Sequence, residues 1–207
     1  MIGLINGLAR MTPRVFLLIL NWNGKEDTAD CIESLKHLNY SNFEIFVIDN
    51  RSSDNSVEYL EKRYPNITII KNETNFGFAE GNNIGIRRAM DAGADYVLLL
   101  NNDTVVDPHF LEELVESVEQ HSTIGFAGPK VYYQDYEGRS DVIYSAGMRF
   151  DLNKGISTMI GMGEVDKRQY EETRDVDSLT GCCLLVSQRL INDVGLLDPA
   201  FFSFMGE

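Results

Sequence analysis

Residues 43–54 read FEIFVIDNRSSD, an apolar run that passes directly into a polar loop with two aspartates. Residues 96–103 read YVLLLNND and have the same design. Apolar runs of this length are typical of strands buried on both faces of a parallel sheet. Ligands of open α/β sheets bind just beyond the carboxyl ends of such strands. The two loops are therefore predicted to form one site, with a nucleotide at one loop and a metal-bound diphosphate at the other.

Strand and helix patterns alternate around these two runs, which implies a parallel sheet with helices on both faces. Residues 132–172 are polar and lack a helical period, so irregular strands and a long loop are expected there. The predicted strands are residues 15–21, 43–49, 67–70, 96–100, 124–128 and 178–186, and the predicted helices are residues 26–38, 54–63, 78–90, 108–120 and 188–194.

Composition limits the class of protein. At 207 residues the chain is long enough for one domain with a substantial core. It has 18 Lys and Arg against 32 Asp and Glu, a net charge of −14, which argues against nucleic acid and anionic lipid as partners. Its three cysteines are an odd number, so buried thiols in a reducing compartment are expected rather than a disulfide framework. The oligomeric state is not indicated.

The loops after the first two strands carry candidate binding groups. In the NWNG stretch of residues 21–24, amides and a glycine could approach a base or ribose, although taken without the other loops a simple turn explains them better. Asp49, Asn50 and Ser52 follow the second strand, where a carboxylate can bind ribose hydroxyls. A solvated strand end is the alternative for Asp49. Asp54 is better explained as a helix cap.

Two further segments extend the candidate site. Residues 72–85 form a glycine- and amide-rich loop that enters a helix N-terminus, a natural place for an anion, although a flexible loop before a capped helix is the alternative. Gly81 and Gly85 inside this helix suggest close approach of backbone or ligand. After the fourth strand, Asp103 offers a carboxylate and Asn101 a carbonyl oxygen to a hard cation such as Mg²⁺ or Mn²⁺. A polar turn is the alternative there.

Taken together, these segments resemble the family 2 inverting glycosyltransferases of GT-A fold, and most closely their rhamnosyltransferase-like branch. The resemblance covers about residues 15–207. Its marks are LNWNG at 20–24, VIDNRSSD at 47–54, NFGFA at 75–79 with NNIG at 82–85, LNND at 100–103, TG at 180–181, and residues 198–207.

The resemblance implies a Rossmann-like, mostly parallel central sheet flanked by helices, with a smaller mixed region on the acceptor side. Residues 1–207 would be a single domain. About 14–130 would form the half that binds the nucleotide sugar, and about 131–207 the acceptor-side half, incomplete at its C-terminus. The expected location is the cytoplasm, either free or at the inner face of the membrane.

The resemblance also implies roles for individual residues. Asn21, Asn23 and Asp49 would hold the base and ribose, and Asn82 and Asn83 would lie near the diphosphate or sugar. Asp103 would carry Mg²⁺ or Mn²⁺, because Asn101 stands where the family's Asp-x-Asp element has its first aspartate. Thr180 and Gly181 would border the acceptor site. The full set expected around the donor is Asn21, Asn23, Asp49, Asn50, Ser52, Asn75, Gly77, Asn82, Asn83, Asn101, Asn102 and Asp103.

The catalytic base of the family lies in a Glu-Asp pair after an aromatic stretch, and Glu207 matches its first member. The second member, the better candidate for the base, is not in this sequence, so a C-terminally truncated chain is expected. The implied reaction moves a sugar from a UDP-, dTDP- or GDP-linked donor to a saccharide or lipid-linked acceptor with inversion, in polysaccharide or glycoconjugate synthesis.

Three other functions are alternatives for this sequence. A nicotinamide-dependent oxidoreductase needs Gly-x-Gly-x-x-Gly after the first strand, and residues 21–26 read NWNGKE. A sugar nucleotidyltransferase needs a glycine-rich, basic loop near the start, which the sequence lacks. A catalytically inactive module that binds nucleotide sugars or carbohydrate stays open.

Overall fold

The computed structural model describes residues 12–121 and 123–202. The strands are β1 (Val15–Asn21), β2 (Phe43–Asp49), β3 (Thr68–Lys71), β4 (Tyr96–Asn101), β5 (Phe126–Ala127), β6 (Val131–Tyr132), β7 (Ile143–Ser145), β8 (Met148–Asp151), β9 (Ile156–Met159) and β10 (Cys183–Ser187). The helices are α1 (Lys25–Leu35), α2 (Ser56–Arg63), α3 (Gly77–Asp91), α4 (Phe110–Gln120) and α5 (Gln188–Val194).

The central sheet has six strands in the order β3-β2-β1-β4-β10-β5. β1 pairs in parallel with β2 and β4, and β2 pairs in parallel with β3. β10 runs antiparallel between β4 and β5. The expectation of a mostly parallel α/β sheet is confirmed. The register places Asn21 beside Asp49 and Leu20 beside Asn101, so the carboxyl ends of β1, β2 and β4 lie at one edge.

Burial of β1 on both faces explains why residues 15–19 do not alternate between apolar and polar side chains. Val15, Leu17 and Ile19 face a core shared with α1, α2 and α4. Phe16 and Leu18 face a second core shared with α3 and α5. All five side chains are fully buried. A strand covered by helices on both faces is apolar at every position, as expected for this class of sheet.

Helix α3 packs unusually close to the sheet. A Cβ on Gly85 would lie 2.8 Å from Ile48 Cδ1 and 3.0 Å from Leu18 Cδ1. A Cβ on Gly81 would lie 2.7 Å from Leu20 Cδ1. The close approach that these glycines predicted is therefore an approach of the helix backbone to the sheet.

Several element boundaries differ from the sequence-based expectation. The strand predicted over 124–128 is only Phe126–Ala127, because it pairs with two residues of β10. The strand predicted over 178–186 begins at Cys183. Residues 131–159 form the two-stranded antiparallel sheets β6–β7 and β8–β9, which agrees with the irregular strands expected from the polar, aperiodic sequence of residues 132–172. No helix within residues 12–121 or 123–202 combines the length and apolarity needed to cross a bilayer.

Ser187 joins the last sheet strand to α5. Its backbone is extended, and its side chain accepts a hydrogen bond from the backbone N–H of Leu190 at 3.2 Å. This contact satisfies one of the N–H groups that a helix leaves without a partner in its first turn.

Replacing Ser187 with Ala should lower the free energy of unfolding by about 1 kcal/mol, because the helix loses its cap. Ser117→Ala is the matched control, since the Ser117 hydroxyl only donates to the carbonyl of Glu113 within α4. That change should stay within about 0.5 kcal/mol of the parent. Denaturant unfolding measures both variants, and equal losses would mean that the cap contributes nothing specific.

Candidate active site

The ends of β1 and β2 are joined by two buried side chains. Asn21 and Asp49 are register partners, and Asn21 Nδ2 donates to Asp49 Oδ1 at 2.8 Å. The other oxygen, Asp49 Oδ2, accepts from the backbone N–H of Ser52 at 2.9 Å. Asp49 is only 2% exposed. A buried carboxylate requires such partners, and here they shape the loop that follows β2.

Asn21 uses all of its amide hydrogen-bonding capacity inside the protein. Nδ2 donates to Asp49 and to Ser52 Oγ at 3.1 Å. Oδ1 accepts from the backbone N–H of Gly24 at 3.2 Å and from Thr28 Oγ1 at 3.0 Å. An asparagine amide offers two donors and one oxygen with two lone pairs. Asn21 therefore organises the loops of the site from within.

The loops after β1 and β2 are also bonded along their exposed rims. The backbone N–H of Asn23 donates to Ser52 Oγ at 2.9 Å. In return, Asn23 Oδ1 accepts from the backbone N–H of Ser53 at 2.7 Å. Asn23 has a left-handed backbone, with φ of 55°, and Trp22 beside it is largely exposed. The two loops thus form one bonded rim that presents polar groups to solvent.

Asn50 connects this rim to the start of α3. Its Nδ2 donates to the carbonyl of Gly77 at 3.0 Å, and its Oδ1 accepts from Asn72 Nδ2 at 2.8 Å. Asn75 Oδ1 accepts from the backbone N–H of Gly77 at 2.8 Å. A Cβ on Gly81 would come within 2.9 Å of Asn50 Nδ2. The asparagines at 50 and 75 therefore fix the entry of α3 beside the end of β2.

The end of β4 contributes the third loop. Asn102 Nδ2 donates to Thr28 Oγ1 at 3.2 Å, and a Cβ on Gly24 would lie 2.5 Å from the same nitrogen. Gly24 thus gives room to Asn102. Thr28 also donates to Asn21, so one hydroxyl links the loops after β1 and β4. Sequence reasoning overlooked Thr28, whose only signal is a small hydroxyl in the first turn of α1.

Asp103 differs from the other site residues because its side chain is open to solvent. Within the part of the chain that the structure describes, its carboxylate accepts no hydrogen bond and joins no ion pair. The neighbouring Asn101 makes two backbone hydrogen bonds. Its carbonyl accepts from Thr104 Oγ1 at 2.7 Å, and its N–H donates to the carbonyl of Cys182 at 2.9 Å. The arrangement leaves one free carboxylate at the centre of the sheet edge.

This donor set fits a hard divalent cation that takes most of its ligands from elsewhere. Across the described ranges no cluster of three or more His, Cys, Asp or Glu side chains could hold a metal by itself. Mg²⁺ is commonly held by one or two carboxylates together with substrate phosphates and water. Asp103 supplies one such carboxylate, and Asn101 and Asn102 carry neighbouring amide oxygens.

The thiols near this loop are held in the protonated form by burial, which raises the pKa of each of them. Cys31 and Cys183 are buried, Cys182 is partly buried, and all three are free. Burial raises the pKa of the Cys31 thiol to about 12. The expectation of buried, unpaired cysteines is confirmed for Cys31 and Cys183.

The start of α3 meets two more candidate segments. The backbone N–H of Phe78 donates to the carbonyl of Phe202 at 2.7 Å. This helix N–H is therefore already bonded within the protein and is not free to bind an anion. A Cβ on Gly181 would lie 3.6 Å from the Phe78 ring, which brings residues 180–181 to the same end of the helix. Glu207, the candidate base, lies outside the described residues.

Asn82 and Asn83 are both buried in α3. Asn82 Nδ2 donates to the carbonyl of Phe78 at 2.9 Å, within the helix. The amide of Asn83 is bonded to the backbone of Leu197. In this structure both amides are directed to protein groups.

Known proteins resemble the chain in sequence and in fold. A hexosyltransferase of low-salt glycan biosynthesis from Haloferax volcanii, Agl10, is 23% identical over 198 residues, which cover 95% of this chain and 60% of that protein. The N-acetylglucosaminyl-diphospho-decaprenol L-rhamnosyltransferase of Mycobacterium tuberculosis is 24% identical over 180 residues, covering 78% and 57%. The chain thus spans about 60% of the length of these two curated relatives.

The structure of the mannosyltransferase PcManGT from Pyrobaculum calidifontis, in complex with GDP-Man and Mn²⁺, superposes with a TM-score of 0.64. The match covers 92% of this chain and 49% of that chain at 13% identity. A likeness at this identity speaks to the fold, and it confirms the expected GT-A architecture. The sequence profile of "Glycosyl transferase family 2" matches residues 17–195, and the chain therefore belongs to that family.

Proposed function

We propose that this protein transfers a sugar from a nucleoside diphosphate donor to an acceptor hydroxyl with inversion at the anomeric carbon, in polysaccharide or glycoconjugate synthesis. One observation carries the proposal. A continuous set of hydrogen bonds runs from Asp49 through Asn21 and Thr28 to Asn102, and it ends beside the exposed carboxylate of Asp103. Family membership and the nucleotide sugar in the related mannosyltransferase structure support it.

The proposed site divides its residues by exposure. The buried amides and the Asp49 carboxylate set the shape and spacing of the loops, and they act on the nucleotide through that shape. The exposed residues, which include Asn23, Arg51, Ser53 and Asp103, are the ones that a ligand reaches without rearrangement. This preorganisation matters because groups fixed before binding cost little to orient at the moment of reaction.

The proposed chemistry is a single displacement. The acceptor oxygen forms a bond to the anomeric carbon while the bond from that carbon to the diphosphate oxygen breaks on the opposite face. A carboxylate takes the acceptor hydroxyl proton, and it must lie within hydrogen-bond reach of that hydroxyl. The residue that follows Glu207 in the family pattern is the better candidate for this role, and Glu207 is the candidate within the present sequence.

The leaving diphosphate gathers negative charge as its bond to the sugar breaks. Mg²⁺ or Mn²⁺, when bound, would supply positive charge to that diphosphate. Asp103 would hold the cation, with oxygens of Asn101 and Asn102 nearby. In a chain of net charge −14, a cation is also what would let an acidic protein accept an anionic donor.

Calorimetric titration with UDP, dTDP and GDP, each with and without Mn²⁺, tests the donor site. We expect one nucleotide to bind, and to bind more tightly with Mn²⁺, because Asp103 would hold the cation and the cation would supply positive charge to the diphosphate. The base of that nucleotide would name the donor class. If no nucleotide binds, and none binds when the titration is repeated on the natural full-length protein, the proposed site is contradicted. Binding without any transfer or donor hydrolysis in that protein would favour the inactive binding module.

Asp103→Ala should remove the metal-dependent part of nucleotide binding. We expect Kd in Mn²⁺ to rise by about tenfold or more and Kd without metal to stay unchanged, since the lost carboxylate acts only through the cation. Transfer by the natural protein should be abolished. Asp30→Ala on the exposed face of α1 is the matched control. Parent-like metal dependence in Asp103→Ala would remove Asp103 from the site.

Asp49→Ala should weaken nucleotide binding and lower stability together. The change leaves Asn21 Nδ2 and the Ser52 N–H without their partner, a loss of about 1–3 kcal/mol for a buried donor. Titration and denaturant unfolding on one preparation separate the two effects. Weaker binding at unchanged stability would mean that Asp49 contacts the nucleotide directly. Unchanged binding would place the base pocket elsewhere.

A further inference from the structure

Asn83 bonds to a distant part of the chain as a peptide group would. Its Nδ2 donates to the carbonyl of Leu197 at 2.8 Å, and its Oδ1 accepts from the backbone N–H of the same residue at 3.0 Å. This is the reciprocal pair that two residues make across antiparallel strands. Asn83 is 1% exposed, so water cannot replace either bond. The side chain therefore fixes the backbone of Leu197 against α3.

A second contact holds the same stretch of chain about one and a half helical turns away. The backbone N–H of Phe78 donates to the carbonyl of Phe202 at 2.7 Å. Gly77 lies directly beneath, with φ of +72°, and a Cβ there would come within 2.2 Å of the same carbonyl oxygen. We call residues 197–202 the docked segment. Only glycine at position 77 permits it to lie so close.

The amide of Asn83 has no donor left for a ligand. Besides Leu197, its Nδ2 donates to Glu80 Oε2 at 3.2 Å, which uses both amide hydrogens. Glu80 is itself held by Arg87, whose two terminal nitrogens lie 2.8 and 3.2 Å from the carboxylate oxygens. The hydrogen bonds to Glu80 and to Leu197 thus fix the orientation of the Asn83 side chain. That Asn83 lies near the diphosphate or sugar stays a prediction, but its amide hydrogens are directed to protein groups.

We propose that Asn83 is a positioning residue, which holds the docked segment on the first turns of α3 and thereby sets the place of the Phe201 and Phe202 rings on the acceptor side of the site. The docked segment ends in two largely exposed rings, Phe201 and Phe202, and Phe202 lies five residues before Glu207 in the sequence. The role in transfer rests on the proposed function, whereas the docking itself does not.

Hydrogen exchange tests the docking whether or not the protein is a transferase. In Asn83→Ala, the amides of Leu197 and Phe78 should exchange about tenfold faster or more, because two partly buried hydrogen bonds that hold the segment on α3 are lost. Tyr64→Phe, which removes buried hydroxyl bonds to Ala29 and Glu33 at the end of α2, controls for a general loss of stability. It should leave these two amides protected. Parent-like exchange in Asn83→Ala would overturn the proposal.

Gly77→Ala displaces the segment from its other end while Asn83 stays intact. A methyl group within 2.2 Å of the Phe202 carbonyl forces the segment away, so the amide of Phe78 should lose protection. Gly93→Ala is the matched control, because φ of +84° gives it the same backbone cost but its nearest neighbour is 3.8 Å away. If both variants behave alike, backbone strain and not docking explains the result.

Kinetics separate positioning from ligand contact. In the natural protein, Asn83→Ala should lower kcat by about tenfold or more while the Kd for the donor nucleotide stays within about threefold of the parent. A nucleotide affinity weakened tenfold would overturn the proposal, since it would mean that Asn83 contacts the donor. Absence of both nucleotide binding and transfer in the parent protein would contradict the proposed function, and the exchange experiment would still decide whether the segment is docked.

Discussion

The hydrogen bond between the buried side chains of Asn21 and Asp49 joins the ends of two parallel strands, and the site is built outward from it. Neither group has access to water, so each must find its partners inside the protein. Those partners are the backbone and hydroxyls of the adjoining loops, which are ordered as a result. Through Thr28 the same requirement reaches the loop after β4. The shape of the candidate active site is thus a consequence of satisfying two buried polar side chains.

Three buried asparagines of this protein make the hydrogen bonds that a peptide group would make. Asn21 and Asn50 bond the loops to one another, and Asn83 pairs with Leu197 as a neighbouring strand would. A side-chain amide suits this role because it carries the same donor and acceptor as a peptide group without a net charge to bury. The carboxylate of Asp103 stands apart from this framework. It is exposed and has no hydrogen-bond or ion-pair partner among residues 12–121 and 123–202, which leaves it open to a ligand.

The sequence predicted the fold well because the strands are long apolar runs that end at clear polar loops. β1 and β2 have the predicted bounds, and the edge that collects the candidate residues follows from parallel pairing alone. The short strand β5 was overestimated, since nothing local sets its length apart from its pairing with β10. The direction of the buried amides could not be predicted either. Whether Asn83 meets a ligand or Leu197 depends on where a segment more than a hundred residues later in the chain comes to lie.

The position of β10 has a consequence for how the protein folds. β10 lies between β4 and β5, although it follows β5 in sequence by more than fifty residues, and β5 has no sheet partner other than β10 among the described strands. The strands β1 to β4 can pair as soon as they are synthesised, whereas β5 must wait for residues 183–187. Closing such a long loop costs conformational entropy, and this cost is offset only by the contacts that form when β10 inserts. A growing chain therefore exposes the open side of β4 until β10 emerges, and residues 197–202, which follow β10 in sequence, can reach α3 only after that.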